Sequence, residues 1–418
     1  MHSGSASGGR CGVSWAMLAG CLLLGGVGLF DRDLWTPDEP REAAIMLRMA
    51  QTGNWLVPEL AGEPFVEKPP LYYIVGAGFI RLLGNWTGPT AALRVMSIAW
   101  TLATLLAAGG LARRVLRGTD AAGWTVVVLA TLPGFLHVSH WLLVDNALAT
   151  CVTAALWAMA EAYRGARLRW LVPAGALAAG AFLSKGAIGP LVLAPAWIGL
   201  AVTWWRDAGR RSWCQPAVYL PHATALLLFL ALVTAWMLAF RQAAGPALWH
   251  EWFWENHVGR LTGSAVRLGH RQNAAYYLGV LPVYLAPWIA AIGIWFARVA
   301  ADWRRRALAP DAAFLMAWTL GGLLLFTLSA TKRDIYLAVL MPAFAMMAAD
   351  VARAPAGPLL RAVFHVWTGI LILGLALAAV APVWEGRVPG LAGGWGYGQA
   401  AAAAALAAVA LLLRRPTG

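Results

Sequence analysis

The sequence is short of charge. Only 12% of its 418 residues are charged, 60% are hydrophobic, and the mean hydropathy is +0.64. Soluble domains typically carry about 25% charged and 45–50% apolar residues. Apolar runs of roughly 17–25 residues, long enough to cross a bilayer as helix, recur along the chain. The composition therefore excludes an ordinary soluble globule and predicts an all-α polytopic membrane protein.

Cysteine is also scarce, at four residues. Cys11 precedes the first apolar run, Cys21 and Cys151 lie inside apolar segments, and Cys214 lies in a basic loop. None of them stands in a CxxC or other metal-type spacing. We therefore predict neither a disulfide nor a zinc site.

Lysine is the rarest charge. The net charge is +13, yet only three of the 32 basic residues are lysines: Lys68, Lys185 and Lys332. The arginines cluster between apolar segments, as in cytoplasmic loops of membrane proteins, which argues against a nucleic-acid partner. With the N-terminus inside, the arginine clusters face the cytoplasm and all three lysines face the outer side. Binding of an anionic phosphate is the simplest reason for a positive charge there.

Twelve spans are predicted, to within one. They cover about 13–30, 88–111, 121–140, 142–162, 170–183, 187–205, 217–240, 275–297, 312–329, 335–350, 360–381 and 397–413. The first is interpreted as a retained span rather than a cleaved signal peptide, so both termini are expected in the cytoplasm.

Three regions follow from these spans. Residues 1–12 are expected to be disordered, and residues 13–350 form a membrane core with outer loops at 31–87 and 241–274. Residues 351–418 are expected to hold the last spans without a soluble domain.

The first outer loop is predicted to contain two helices. Asp38 is interpreted as an N-cap, with Glu39 in the first turn and Gly53 past the end, which predicts a helix over 39–51. A second is predicted over about 71–83. The first carries an apolar face suited to lying along a membrane surface, made by Ala43, Met46, Leu47 and Ala50.

The carboxylates and cations of this loop have two interpretations. Asp38 and Glu39 either cap a helix and complement its dipole, or supply a general base for an acceptor hydroxyl. Lys68, which follows Glu67 and precedes Pro69-Pro70, either extends to the membrane interface or pairs with a phosphate.

Further candidates lie in later loops. The aromatic residues at 249–254 are typical of an interfacial belt, whereas Arg260 is suited to bidentate phosphate binding. The histidines of this loop lack the tight spacing of a metal site. Lys332, Arg333 and Tyr336 mark either a solvated turn or a phosphate site, and Asp145 lies at a depth where an ionisable residue is functional or paired.

Six short motifs follow one another along the chain. They are Pro37-Asp38-Glu39-Pro40-Arg41-Glu42, Gly53-Asn54-Trp55-Leu56-Val57-Pro58, Glu67-Lys68-Pro69-Pro70-Leu71-Tyr72-Tyr73, Leu183-Ser184-Lys185-Gly186, Glu255-Asn256-His257-Val258-Gly259-Arg260 and Lys332-Arg333-Asp334-Ile335-Tyr336. Over roughly residues 13–350 the chain resembles the lipid-phosphate-dependent GT-C glycosyltransferases (families 39 and 83). That group includes the aminoarabinose transferases that modify lipid A and the protein O-mannosyltransferases.

The resemblance implies a GT-C-type helical membrane core with two surface helices in the first outer loop. It implies a catalytic role for Asp38, with Glu39 beside it. Positions that hold the phosphate of the polyprenyl carrier are matched by Lys68, Arg260 and Tyr336, to which we add Lys332. The supporting residues are Glu67, Asp145, Lys185, His257 and Arg333.

We therefore expect transfer of a sugar from a polyprenyl-phosphate donor to a lipid A, glycan or protein acceptor, on the periplasmic side of a bacterial inner membrane. No GxGxxG or P-loop motif stands in a strand–helix context, which favours a lipid-linked donor. No cofactor is indicated, and a divalent-cation requirement stays open. The alternatives are a twelve-span transporter or flippase, whose ionisable residues should lie near the midplane in two related halves, and a non-catalytic scaffold.

Overall fold

A computed structural model describes residue 26 and residues 28–353, apart from 31, 36, 117, 119, 166, 209–214, 260–261 and 263–271, together with part of 357–376. The chain divides into two units, Met1–Ala354 and Pro355–Gly418. Most described residues of the second unit are helical. The bulk of the predicted first span, the whole of the twelfth and much of the eleventh lie outside the described residues.

The first outer loop contains the two predicted helices. Helix α1 spans Asp38–Thr52, a hairpin pairs β1 (Glu59–Leu60) with β2 (Glu63–Pro64), and α2 spans Leu71–Thr87. The second helix is therefore longer than predicted.

Asp38 does not cap α1, contrary to one of the two interpretations of its sequence. The N-cap position is Pro37, and the Asp38 side chain accepts hydrogen bonds from arginines instead. The predicted end is confirmed, since Gly53 has φ 71° and its N–H bonds Met49 O at 3.0 Å. A left-handed glycine is a common helix stop because it lacks a Cβ.

The remaining helices follow in chain order. They are α3 Pro89–Val115, α4 Ala121–Thr131, α5 Pro133–Ser139, α6 Val144–Arg164, α7 Leu171–Lys185, α8 Ile188–Ala208, α9 Pro216–His250, α10 Tyr276–Tyr284, α11 Ile289–Arg304, α12 Pro310–Leu328 and α13 Met341–Ala352. Short 3₁₀ helices precede α7 (Leu168–Trp170) and α13 (Asp334–Leu340), and a π-helix follows α9 (Glu251–Gly259).

The protein is a multi-pass membrane protein. In the part of the chain that the structure describes, five helices are long and apolar enough to cross a membrane, or seven if each bent pair is one span. The bent pairs are α4 with α5, at 70°, and α10 with α11, at 114°. Each was predicted as one span. Pro133 stands at the first break, where its missing N–H and fixed φ prevent a continuous helix.

The second polar loop, predicted over 241–274, is a loop only in part. Helix α9 continues to His250 through a break at Gly245, whose φ is 75°, and the π-helix continues to Gly259. The prediction was wrong for this stretch because charged and aromatic residues interrupt the apolar pattern without ending the helix.

Helix α6 is the centre of the first unit. It packs against α3, α7 and α8, and most of its side chains are buried. The buried face of α1 packs on α2 and α3, where Met46 and Met49 meet Tyr72, Tyr73 and Met96. These contacts hold the first turns of α1 and α6 in fixed positions relative to each other. Asp38 lies in the first of these turns and Asp145 in the second.

Candidate active site

A cavity of about 360 Å³ lies where the first outer loop, α6, α7, the π-helix and the segment after α12 meet. Eight of the predicted site residues line it: Asp38, Glu67, Lys68, Asp145, Lys185, His257, Arg333 and Tyr336. The other polar residues of its lining are Arg41, Asn256, Ser329 and Thr331. Tertiary structure thus brings together charges from five separate segments.

Asp38 is one of the carboxylates that line this cavity. It is 2% exposed, and its Oδ2 accepts a hydrogen bond of 2.5 Å from Arg333, while Oδ1 accepts one of 2.8 Å from Arg41. Burial alone raises the pKa of Asp38, but the hydrogen bond and charge of Arg333, together with the charges of Arg41 and Lys68, bring that pKa below its ordinary value. Asp38 is therefore ionised at neutral pH.

Glu39 points away from the cavity into the protein. It is 0% exposed and accepts hydrogen bonds from Arg32, from Arg94 and from the backbone N–H groups of Trp35 and Leu142. Burial raises the pKa of Glu39, and these hydrogen bonds outweigh that effect and lower it. The geometry gives Glu39 the position of a structural anchor for Asp38.

Lys68 reaches the cavity from the start of α2. Its Nζ donates to Glu42 Oε1 at 2.7 Å, and Arg41 contacts the same oxygen at 3.4 Å. The preceding Glu67 also lines the cavity. The prolines at 69–70 fix the backbone at this point, so Lys68 is held rather than extended freely toward solvent.

A second carboxylate–lysine pair also lines the cavity. Lys185 Nζ donates to Asp145 Oδ1 at 2.5 Å and lies 4.1 Å from the centroid of the Tyr336 ring. The charge of Asp145 at the start of α6 is thus paired, as its depth required.

Gly186 allows the next contact. Its φ is 67°, and a Cβ at this position would overlap His257 Nε2. His257 Nδ1 donates to Trp252 O at 2.8 Å, since a carbonyl can only accept. This hydrogen bond across the π-helix orients the ring that lines the cavity.

Known proteins are similar to this chain in fold and in sequence. A family model described as dolichyl-phosphate-mannose-protein mannosyltransferase matches residues 67–236. The chain is 30% identical over 373 residues to an undecaprenyl phosphate-alpha-4-amino-4-deoxy-L-arabinose arabinosyl transferase of Pseudomonas aeruginosa, covering 86% of this chain and 64% of the relative. To a Proteus mirabilis enzyme of the same description (transferase 2) it is 26% identical over 326 residues, covering 77% and 56%.

The solved structure of ArnT from Cupriavidus metallidurans bound to undecaprenyl phosphate superposes with a TM-score of 0.73 at 22% identity, covering 96% of this chain and 71% of that one. The chain has the fold of this structure, and its sequence is similar to those of the arabinosyl transferases named above. The predicted GT-C fold is confirmed. The chain spans less than two thirds of the curated relatives, 56% and 64% of their lengths. Those relatives are named as transferases.

Lys332 and Arg260 are predicted to bind the phosphate of the donor, but the structure confirms neither prediction. Lys332 does not line the cavity: it is 4% exposed and its Nζ donates to the backbone oxygens of Ser329 and Gln272, at 2.6 and 3.2 Å. Its neighbour Arg333 points to the cavity instead. Arg260 lies outside the described residues, so its role stays a prediction.

Sequence reasoning missed several residues of this site. Arg41 and Glu42 follow Asp38 by three and four positions, so helical spacing alone places them on the same face. That signal was available. Arg94 and Asn256 gave none, because their roles depend on contacts with remote segments.

Metal ligation has little support in the geometry. Among the described residues, no group of three or more His, Cys, Asp or Glu side chains could hold a metal ion. Within the cavity lining, Arg41 and Arg333 pair with Asp38, and Lys185 pairs with Asp145.

Proposed function

We propose that this GT-C protein transfers a sugar from a polyprenyl-phosphate donor to a lipid A, glycan or protein acceptor. The observation that carries the proposal is the cavity in which Asp38 and Asp145 meet Lys68, Lys185 and Arg333. A carboxylate to handle the acceptor and several fixed cations to receive a phosphate are what this reaction needs. The relatives named for undecaprenyl phosphate-linked aminoarabinose support the donor class.

In the proposed reaction the bond between the anomeric carbon and the phosphate oxygen breaks as the acceptor oxygen attacks the same carbon. The bonding pair stays on the departing polyprenyl phosphate, whose new negative charge is stabilised by Lys68, Arg333 and Tyr336, with Arg260 as a further predicted ligand. Preorganised charges of this kind usually supply the largest part of catalysis. Direct attack inverts the anomeric centre.

Asp38 would act on the acceptor. Its lowered pKa keeps it ionised, so it can accept the proton of an attacking hydroxyl or orient that group. An acceptor phosphate is already an anionic nucleophile, and for such an acceptor Asp38 would only orient it. The sequence predicts a catalytic role for Glu39 beside Asp38. Because Glu39 is buried, we propose instead that it only positions Asp38.

The lysine–carboxylate pairs suggest how the side chains of the site keep their positions when no donor is bound. Lys68 is held by Glu42 and Lys185 by Asp145. An entering phosphate would share these cations with carboxylates already in place, which keeps the side chains close to their working positions. Preorganisation of this sort reduces the free energy spent on ordering when the donor binds.

We place the cavity on the periplasmic side of a bacterial inner membrane, with both termini in the cytoplasm. The support is the distribution of arginines, which concentrate in the loops opposite to those that build the cavity.

Reconstitution with radiolabelled polyprenyl-phosphate sugars and candidate acceptors tests the proposal. We expect Asp38→Asn to lower the transfer rate by about 10²–10⁴-fold, because it removes the base and its charge. Asp302→Asn, at the far end of α11 and outside the cavity lining, is the matched control and should retain wild-type transfer. An Asp38→Asn protein that transfers at the wild-type rate would refute the assignment and favour a scaffold.

A further inference from the structure

Beside the cavity lies a partly exposed aromatic surface formed by Trp35, Trp141, His137 and Asp334, with the buried Tyr284 (8% exposed) packed behind it. Trp35 is 54% exposed, and its ring centroid lies 5.8 Å from that of Trp141. His137 follows at 5.0 Å from Trp141 and 5.9 Å from Tyr284. Four rings from three distant segments therefore form a continuous row.

Hydrogen-bonding groups stand at one end of this aromatic surface. Tyr284 donates to Asp334 Oδ2 at 2.6 Å, and His137 Nε2 lies 3.8 Å from the same oxygen. The His137 and Asp334 side chains are 35% and 37% exposed. A ligand lying on the rings would meet an imidazole and a carboxylate, the latter held in place by the buried Tyr284 hydroxyl.

The ring of Trp35 is fixed from within the protein. Arg32 places its guanidinium 4.9 Å from the ring centroid, and the same guanidinium binds Glu39 at 2.6 Å. Glu39 in turn anchors the start of α1. The exposed ring is therefore held by a partly buried ion pair, which lowers the entropic cost of using the ring as a binding platform.

The aromatic surface is connected to the reacting groups at both ends. Trp35 precedes Asp38 by three residues, and Asp334 directly follows Arg333, which binds Asp38 at 2.5 Å. Trp141 and the cavity residue Tyr336 also pack against one buried cluster, made by Val138, Leu143, Ile335 and Ala338. A molecule on this surface would thus lie next to the Asp38–Arg333 pair without occupying the donor cavity.

Flat rings bordered by donors and acceptors suit a sugar. A pyranose offers apolar C–H faces that pack on aromatic rings, and its hydroxyls both donate and accept hydrogen bonds. An acyl chain has no group that could form hydrogen bonds with Asp334 and His137. A belt that only anchors the protein in the membrane interface requires tryptophan and tyrosine but not this carboxylate–imidazole pair.

We propose that the aromatic surface binds the sugar rings of the acceptor, so that the acceptor is a saccharide, free or carried by a lipid, and not a peptide. The inference rests on the proposed transferase function and narrows its acceptor class. The donor is expected to bind independently of this surface.

The test measures transfer to two saccharide acceptors, lipid A and its deacylated glucosamine disaccharide, and to a serine/threonine-rich peptide. For Trp35→Ala we expect the acceptor KM to rise about tenfold for both saccharides, with the donor KM unchanged, since one stacking contact is lost. Trp35→Phe keeps a flat ring and should restore most of the affinity. A rise for lipid A but not for the disaccharide would place recognition in the acyl chains and overturn the proposal.

Trp86→Ala is the matched control, because Trp86 is an exposed tryptophan (80%) at the end of α2. Its acceptor KM should stay at the wild-type value. Equal effects of Trp35→Ala and Trp86→Ala would identify an interfacial belt and overturn the proposal, as would an equal rise in donor KM.

The two proposals fail differently. Transfer by the wild-type protein to the peptide, but to neither saccharide, leaves the transferase function standing and overturns the acceptor class. A wild-type protein that releases no sugar from any polyprenyl-phosphate donor, to an acceptor or to water, overturns both.

Discussion

Asp38 and Glu39 are adjacent in the sequence but have opposite environments. A helix rotates about 100° per residue, so neighbouring side chains cannot face the same way. Asp38 meets Arg333 in the cavity, whereas Glu39 meets Arg32 and Arg94 in the interior. One carboxylate is thus available to a ligand while the other holds three segments together.

The buried position of Glu39 predicts a loss of stability for Glu39→Gln. Removing its charge leaves Arg32 and Arg94 without their carboxylate, at a cost of about 3–5 kcal/mol. The midpoint of thermal unfolding of the purified protein should fall clearly. Glu59→Gln, which loses only an exposed pair with Arg48, should unfold near the wild-type temperature. Equal midpoints for both variants would show that Glu39 is not an anchor.

The Asp38–Arg333 pair predicts a shift in the pH dependence of transfer. Arg333 lowers the pKa of Asp38 against the raising effect of burial, so Arg333→Gln should raise that pKa. Activity that needs ionised Asp38 would then decline at a higher pH than in the wild type. The pH–rate profile measures this acid limb, and Arg48→Gln, far from the cavity, should leave it in place. An acid limb unmoved by Arg333→Gln contradicts the pairing.

The same pair affects stability with a defined sign. The pKa of Asp38 in the folded protein lies below its ordinary value. The pair therefore stabilises the fold above that ordinary value, and this contribution is lost as the pH falls through the lowered pKa.

At the scale of elements, the junction of α7 and α8 sets the distance between two cavity residues. Lys185 ends α7, and Gly186, with φ 67°, lets His257 of the π-helix approach the turn. Only glycine adopts this conformation beside such a close neighbour without strain.

Gly186→Ala should therefore impair transfer more than it impairs folding. The added Cβ would push His257 away and disturb Lys185, and the expected result is a lower kcat with the protein still extracted as a folded monodisperse species. Gly293→Ala is the control, since a Cβ there meets nothing within 4 Å and alanine favours a helix. Full activity in Gly186→Ala would show that this contact is dispensable.

The helices themselves could largely be predicted from apolar periodicity and run length. The bends could not. The 114° angle between α10 and α11 lies inside a stretch that reads as one apolar span. Apolar length is a local property, whereas the direction of a short helix is decided by the surfaces on which it packs.

At the scale of the whole molecule, the arginine distribution predicts the orientation. Glu63→Cys, exposed in the β1–β2 hairpin, should react with a membrane-impermeant maleimide applied to the periplasmic side, and Arg305→Cys, past the end of α11, should not. Both are made with Cys11 and Cys214 replaced by serine. Labelling of Arg305→Cys alone would invert the topology.

The sequence by itself determined the membrane environment, most helix positions, the GT-C resemblance and eight of the residues that line the cavity. These features follow from local composition and from short sequence motifs. Tertiary structure decided which charges meet. It turned Glu39 inward, replaced Lys332 by Arg333, and added Arg41 to the cavity and Arg94 to the ion pair that anchors Glu39. Pairing between residues as far apart as Asp38 and Arg333 depends on how the helices pack, and no local pattern in the chain encodes that distance.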